Sequence, residues 1–313
     1  MANHFKTTLL LAFSLLTPNL SAIVVANTNP NDPVYLSSIT AVGKVSLAGG
    51  LCSGSLLSTG MHMLTAAHCM LDSNGTPLAG TATVTFYNAS NIAFDYFSSD
   101  IVTYPGFNPF NFFDGNDLAI ITLGNVVDAS IDRLSLYNGT GELGETATIV
   151  GYGRSGIGST GSVAGTFGTR RQGLNVVDDI FNNILIFDFD NGLAAQNTIG
   201  GTGLGTAEVI TASGDSGGAV LIDGQLAGIH SFVSCIADPD PNIVCLSPPD
   251  INTTLNSTYG EQFGSTRVSA YNSWIQGVIE PAEVPEPSTV AAGLLALVTC
   301  LARVRKTRTG SPS

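Results

Sequence analysis

Gly214-Asp215-Ser216-Gly217-Gly218 is the stretch that decides the fold of this chain and the chemistry open to it. A serine hydroxyl becomes an effective nucleophile where backbone N–H groups stabilise the oxyanion that its attack creates. Gly214 has no Cβ, so the chain can turn tightly and place its N–H beside that of Ser216. The pentapeptide therefore predicts a two-donor site, or else a glycine-rich turn of no chemical consequence. A base and an acid elsewhere in the chain would decide between the two.

His68 and Asp117 are the candidates for that base and acid. His68 ends the run Leu-Thr-Ala-Ala-His and is followed by a cysteine. Asp117 precedes Leu-Ala-Ile-Ile, which has the pattern of a buried strand. A carboxylate at the mouth of such a strand is costly unless it is paired, and an imidazole N–H is a natural partner. The other histidines are predicted to be structural: His4, His62 and His230.

Together the three motifs resemble those of the trypsin/chymotrypsin family of serine peptidases, in the family's order and near its separations. The resemblance implies peptide hydrolysis through an acyl-enzyme, with Ser216 as nucleophile, His68 as general base and Asp117 as the residue that orients the imidazole. It also implies that the N–H groups of Gly214 and Ser216 form the oxyanion hole. Neither a metal nor a cofactor is implied by it.

Asp215 has a separate role in this resemblance. In the family the matching aspartate pairs with a newly made α-amino group, and that ion pair supports the oxyanion hole. The family's usual Ile-Val-Gly-Gly start is absent here. Removal of a leader after Ala22 would expose Ile23-Val24-Val25-Ala26, and one hypothesis is that this cut also activates the enzyme. The alternative, favoured on the sequence alone, is that these four residues end the leader, with a cut after Ala26.

The same resemblance predicts the primary specificity pocket. Ile210 lies six residues before Ser216, where trypsin-like members carry an aspartate. Ser231 and Val233 match the ends of the family's Ser-Trp-Gly segment, and Phe263 is a further candidate for the pocket wall. Val233 stands where the family has a glycine, and its side chain is expected to narrow the entrance of the pocket. The pocket is therefore expected to accept small apolar P1 residues rather than Lys or Arg.

Residues 23–284 are predicted to form one all-β domain, because short β-branched or aromatic runs alternate with turn residues. Asp223-Gly224 indicates a hairpin, and apolar residues at helical spacing over 268–279 predict a helix. With the resemblance, this gives a chymotrypsin-like double six-stranded β-barrel with a C-terminal helix and a barrel boundary near 132–142. The clearest predicted strands are 81–87, 146–152, 183–189 and 219–222.

Two loops and one basic pair also stand out. Residues 154–168 are rich in Gly, Ser and Thr and resemble the flexible loop that family members often cleave themselves. Residues 234–259 are rich in Pro, Asn and Asp and are expected to overhang the substrate cleft. Arg170-Arg171 is predicted to be a solvated pair rather than a cleavage or binding site.

Both ends of the chain have the composition of processing signals. Residues 1–22 have the charged start, apolar run and small-residue cleavage site of a secretory signal peptide. Residues 285–313 contain Pro-Glu-Pro, an apolar stretch and a basic end, and resemble the PEP-CTERM sorting signal of Gram-negative bacteria. Its apolar stretch, 289–302, is shorter than the ~20 residues of a full span, although a plain membrane anchor is the alternative.

Charge and cysteines agree with an exported protein. The formal net charge is −13, which disfavours nucleic-acid binding. Cys52 and Cys69 match a family disulfide that holds the loop of the catalytic histidine. Cys235 and Cys245 are predicted to bond across an inserted loop, and Cys300 lies in the tail. No spacing indicates zinc, and the Asp-Pro-Asp of residues 238–240 does not match a calcium loop, so no metal is expected.

The sequence thus predicts an exported serine endopeptidase that acts on protein or peptide substrates. Its expected processing partners are a signal peptidase and an exosortase-like enzyme, with transient membrane anchoring through the tail and a final place in the envelope or extracellular matrix. Two alternatives remain open at this stage. One is a non-catalytic envelope or biofilm-matrix binding protein on a protease fold, and the other is an esterase.

Overall fold

The computed structural model describes residues 23–26, 29–235 and 245–280. The predicted signal peptide and the predicted sorting tail lie outside these residues, as do His4 and Cys300. Residues up to Ile275 belong to one compact unit and those from Gln276 to a second. Across the described ranges, no helix has both the length and the apolar character needed to cross a membrane.

The first half of the main unit is a closed barrel of six antiparallel strands. It follows a short strand, β1 (Ile23–Val25), and its strands lie in the order β2-β3-β4-β7-β6-β5. Buried and partly exposed residues alternate along the end of β2, as expected for a strand with one face on a core. The barrel strands are β2 (Val42–Leu47), β3 (Gly50–Leu56), β4 (His62–Thr65), β5 (Thr83–Tyr87), β6 (Ala93–Thr103) and β7 (Ala119–Leu123).

The second half is a half-barrel made of one seven-stranded sheet, in the order β11-β8-β15-β16-β17-β13-β12. The β12–β13 hairpin supplies the seventh strand at one edge of this sheet, and the closed barrel together with this half-barrel confirms the predicted double-barrel architecture. The connection from Leu123 to Thr146 contains the predicted boundary. The strands are β8 (Thr146–Gly151), β9 (Ser155–Ile157), β10 (Gly161–Ser162), β11 (Arg171–Val176), β12 (Asp179–Phe181), β13 (Ile184–Phe189), β14 (Val209–Ile210), β15 (Ala219–Ile222), β16 (Gln225–Ser234) and β17 (Glu261–Arg267).

The hairpin between β15 and β16 follows the sequence prediction. Asp223 has φ 50° and Gly224 has φ 74°, and two positive φ values are what a tight type I′ turn requires. Strand β15 has the predicted bounds. The turn therefore fixes the register of the strand that directly follows the Ser216 loop.

A separate four-stranded sheet, in the order β10-β9-β1-β14, lies beside the half-barrel core. Strand β1 is its inner strand, parallel to β9 and antiparallel to β14, and its three residues are fully buried. The predicted flexible loop 154–168 is therefore partly ordered, because β9 and β10 form within it. Residues 23–26, which the preferred sequence interpretation assigned to the end of a leader, are thus packed within the folded domain.

The described residues include one α-helix, α1 (Asn272–Ile279), where the sequence predicted a helix. Arg171 corrects another prediction, because it is buried, whereas a solvated pair was expected. Its neighbour Arg170 donates to the carbonyls of Ser37 and Tyr87. The 3₁₀ turns are Pro33–Tyr35, Ala67–Met70, Phe112–Asp114, Gly205–Ala207 and Val268–Tyr271.

Candidate active site

His68 and Asp117 meet at one edge of the closed barrel. His68 lies in the 3₁₀ turn that follows β4, and Asp117 lies just before β7, which pairs with β4. The Nδ1 of His68 is 2.7 Å from Oδ2 of Asp117, and the backbone N–H of His68 donates to Oδ1 at 2.9 Å. The Ser231 hydroxyl donates to the same Oδ2 at 2.6 Å. Three hydrogen bonds thus hold the buried carboxylate of Asp117 beside Nδ1 of the imidazole.

This arrangement fixes both the orientation and the basicity of His68. Burial disfavours the charged imidazole, but the charge of Asp117 and its hydrogen bond outweigh that effect, so the pKa of His68 is raised above its ordinary 6.5. Because Nδ1 faces the carboxylate, Nε2 is the atom left to exchange a proton with a substrate or nucleophile. Phe112 packs edge-on against the ring, with centroids 5.4 Å apart.

Ser216 lies on a tight loop that enters β15. Gly214 has φ 96° and Gly217 has φ 81°, conformations that favour glycine at both positions. A Cβ at Gly217 would collide with the carbonyl of Ser53 and the hydroxyl of Thr65. Within the described part of the chain, the N–H groups of Gly214 and Ser216 donate to no protein acceptor. They are the two amides that the sequence assigned to an oxyanion hole.

Ser53, on β3, connects the closed barrel to this loop. Its N–H donates to the carbonyl of Ser216 at 2.7 Å, and its hydroxyl donates to the carbonyl of Gly214 at 3.0 Å. The N–H of Tyr152 in turn donates to the Ser53 hydroxyl at 3.0 Å. Sequence reasoning missed Ser53, since no local pattern marks it and only the approach of the two sheets reveals its contacts.

The Cys52–Cys69 disulfide lies beside both candidate reactive groups. Sγ of Cys69 is 3.8 Å from Nε2 of His68 and 3.9 Å from the carbonyl oxygen of Ser216. In the described residues, no hydrogen bond joins Nε2 to the Ser216 hydroxyl, and such bonds are often long in unliganded enzymes. The second predicted pair, Cys235–Cys245, is also bonded. Because Cys52 and Cys69 are oxidised, they offer no thiolate to a metal near His68.

Asp215 is completely buried beneath the loop. Its carboxylate accepts the N–H groups of Gly153 and Ala212, both at 2.8 Å, and the N–H of Ile23 lies close enough to lower its pKa. Burial raises its pKa to about 7, although these bonds and the charge of Arg171 act in the opposite direction. The first residue of β1 thus lies against the carboxylate that the resemblance pairs with a new N-terminus.

A small cavity of about 120 Å³ adjoins Ser216. It contains no carboxylate, lysine or arginine, and burial lowers the pKa of its one histidine, His230, to about 3, so the imidazole is neutral. Ser231 and Val233 line it. Ile210, expected in its wall, and Phe263 are not among the lining residues and are instead buried in the hydrophobic core, which also contains β1. The lining residues are Thr211, Ala212, Ser213, Ser216, His230, Ser231, Phe232 and Val233.

The closed barrel, the half-barrel and the C-terminal helix define the chymotrypsin-like double-barrel class of proteins. The chain belongs to the trypsin family, whose sequence model matches residues 30–246. Among solved structures, it is similar to neuropsin, described as a serine protease expressed in the limbic system of mouse brain. That match has a TM-score of 0.55 and 20% identity over 78% of this chain and 96% of that chain, which supports the fold.

Proposed function

We propose that this protein is a serine endopeptidase that uses Ser216, His68 and Asp117. The observation that carries the proposal is the short contact between His68 Nδ1 and the buried carboxylate of Asp117. The adjacent loop of Ser216 presents two N–H groups that donate to no acceptor among the described residues. A purely binding protein has no physical need for this combination. Membership of the trypsin family supports a peptidase over the two alternatives open from the sequence.

In the proposed reaction, His68 Nε2 takes the proton of Ser216 as the serine oxygen attacks the substrate carbonyl carbon. Asp117 keeps the imidazole in the required tautomer and stabilises its charged form. The N–H groups of Gly214 and Ser216 bind the oxyanion of the tetrahedral intermediate. His68 then protonates the leaving amine, and water repeats the sequence on the acyl-enzyme to release the acid.

A fluorophosphonate probe tests the activated serine directly. The processed wild-type protein should be labelled stoichiometrically, whereas Ser216→Ala should not be labelled. Ser159→Ala removes an exposed serine between β9 and β10 and is the matched control, which should label like the wild type. Equal labelling of wild type and Ser216→Ala, or no labelling of folded wild type, would reject the proposal. Turnover of peptide amides as well as esters separates a peptidase from an esterase.

The cavity beside Ser216 supports a preference for small, uncharged P1 residues. Its volume of about 120 Å³ leaves little room for a long side chain, and it presents no opposite charge for Lys, Arg or Glu. A peptide library should therefore show cleavage after residues such as Ala or Val. A dominant preference for a charged P1 residue would contradict this assignment.

Val233→Gly should widen the pocket entrance. We expect kcat/KM for a P1 Phe substrate to rise at least ~10-fold relative to a P1 Ala substrate, because steric exclusion of this size is worth ~1–3 kcal/mol. The measurement is kcat/KM for two peptides that differ only at P1. Val126→Gly, at an exposed position, is the control and should leave the ratio unchanged.

On the acid side of the pH–rate profile, kcat/KM should follow the protonation of His68. A protonated imidazole cannot accept the serine proton, so kcat/KM should fall as pH drops through the His68 pKa. That pKa lies above 6.5 because of Asp117, and the fall should follow a single ionisation. Measurement of kcat/KM across about pH 5–9 tests whether His68 is the general base. A rate independent of pH on the acid side would contradict the role of His68.

We further propose that the mature protein begins at Ile23, after removal of residues 1–22. A cut there creates a positively charged amine on the residue whose N–H already lies against Asp215. Export through the signal peptide and sorting through residues 285–313 belong to the same proposal, with residues 23–284 as the peptidase domain. N-terminal sequencing and intact mass of the secreted form test both ends.

A further inference from the structure

Three buried carboxylates form a cluster outside the candidate active site. Asp188 and Asp190 lie at the end of β13, and Glu208 lies immediately before β14. All three side chains are almost completely buried, and one oxygen from each lies within 4.8 Å of the others. Glu208 is 18 residues from Asp190 in sequence, so only the folded loop between them brings them together.

Among the described residues, no cation neutralises this cluster. None of the three carboxylates forms an ion pair with a described Lys, Arg or His residue. No hydrogen bond joins two of these three carboxyl groups, although a fourth carboxyl group, that of Asp178, hydrogen-bonds to Asp188 and lies close enough to feel the charge of Asp190. Buried carboxylates in this state are costly, since burial removes hydration while like charges repel.

One oxygen of the cluster has no hydrogen-bond partner within the described part of the chain. Glu208 accepts the N–H groups of Asp190 and Leu204, and Asp188 accepts that of Thr198. Asp190 Oδ1 accepts the N–H of Gly192 at 2.7 Å, but its Oδ2 is buried without any hydrogen-bond partner. Asp190 as a whole is 0% exposed, so bulk water does not solvate that oxygen.

We propose that Asp188, Asp190 and Glu208 bind one calcium ion. Calcium prefers carboxylate and carbonyl oxygens at ~2.3–2.6 Å and tolerates irregular geometry. Two oxygens bound to one such ion therefore lie at most ~5 Å apart, which fits the spacing of the cluster. An all-oxygen set also disfavours zinc and copper, which favour nitrogen and sulfur ligands. The sequence prediction that the chain has no metal site is thus revised.

The surrounding backbone is folded closely over these oxygens. Gly203 has φ 75°, and a Cβ there would collide with Oε2 of Glu208 and lie 2.9 Å from Oδ1 of Asp190.

The ion would stabilise the four-stranded sheet in which β1 pairs with β9 and β14. The carbonyl of Glu208 accepts the N–H of Ala26 at 3.0 Å, and the next residue, Val209, pairs with Val25. A bound ion would fix Glu208 to the end of β13 and so fix the edge on which β1 docks. The site thus has a structural role, separate from the proposed chemistry at Ser216.

Calcium should raise the thermal stability of the whole secreted protein. The experiment uses the Ser216→Ala form, so that self-digestion and the proposed peptidase activity do not affect the result. After treatment with chelator, saturating Ca²⁺ should raise Tm by roughly 5–10 °C, and calorimetric titration should show one site. An equal concentration of Mg²⁺ should have a much smaller effect, because Mg²⁺ demands stricter octahedral geometry.

Asp190→Asn in the same background should bind Ca²⁺ at least ~10-fold more weakly and lose the Tm response. Without metal it should be at least as stable as its parent, because it removes one charge from a repelling cluster. The matched control is Asp179→Asn, which removes a surface charge near the cluster and should keep the full response. No Ca²⁺-dependent rise in the parent, or a full rise in Asp190→Asn, overturns the proposal. An equal response to Mg²⁺ overturns the assignment to calcium.

Discussion

Ser216→Ala is expected to lower kcat for peptide hydrolysis by about 10⁶-fold while the protein remains folded. The loss follows from removal of the only atom proposed to form the acyl-enzyme bond. Ser216 is not a core side chain, so Tm should change little. The measurement is single-turnover hydrolysis of a P1 Ala peptide, with Tm recorded on the same samples.

Asp117→Asn tests the residue that is proposed to orient His68. The amide nearly preserves the shape of the carboxylate but places an NH₂ group or an uncharged oxygen against His68 Nδ1, and kcat should fall by about 10⁴-fold. Because the residues act as a unit, Ser216→Ala with His68→Ala should be little worse than Ser216→Ala alone. Multiplicative losses in the double variant, or near-normal turnover by Asp117→Asn, would contradict the proposed triad.

A single extra residue ahead of Ile23 in the mature protein should reduce kcat by about 10²–10³-fold, the cost of losing one oxyanion-hole donor. The extension replaces the free ammonium by a neutral peptide N–H, so the buried Asp215 loses its proposed counter-charge. Fluorophosphonate labelling should slow by a similar factor. The control is Ile23→Val, which keeps both the free amine and an apolar side chain and should retain activity.

The extended form should also have a distinctive pH dependence of stability. In a chain that continues through Ile23, the pKa of Asp215 is about 7, raised from an ordinary 3.8. The folded state then binds more protons than the unfolded state in that window, so the free energy of unfolding should fall as pH rises from about 4 to 7. The form that begins at Ile23 should show a much smaller fall. Equal activity and equal pH profiles for the two forms would reject this activation mechanism.

Local sequence patterns predicted the parts of the structure that depend on neighbours along the chain. The bounds of β15 follow from a β-branched run before Asp223-Gly224, and the closed barrel follows from the family motifs. Those motifs also identified His68 and Asp117, which the fold places in contact. These features could be predicted because a turn, a strand period or a short motif specifies each of them within a few residues.

Features that depend on distant contacts could not be predicted in this way. Ile210 is buried in a core that it shares with β1, which comes much earlier in the sequence. The buried position of Arg171 and the contacts of Ser53 likewise depend on the packing of separate sheets. The carboxylates of Asp190 and Glu208 meet across a long irregular loop whose shape no local pattern specifies.

The position of β1 has a consequence for when the protein can become active. Its three residues leave the ribosome before both strands that flank them, and β14 (Val209–Ile210) follows much later in the 313-residue chain. Under the proposed activation mechanism, the Ile23 amine therefore cannot dock against Asp215 until the chain has been synthesised past residue 210 of 313. A nascent or prematurely terminated polypeptide that lacks β14 should be proteolytically silent, and this built-in delay would protect the producing cell during synthesis.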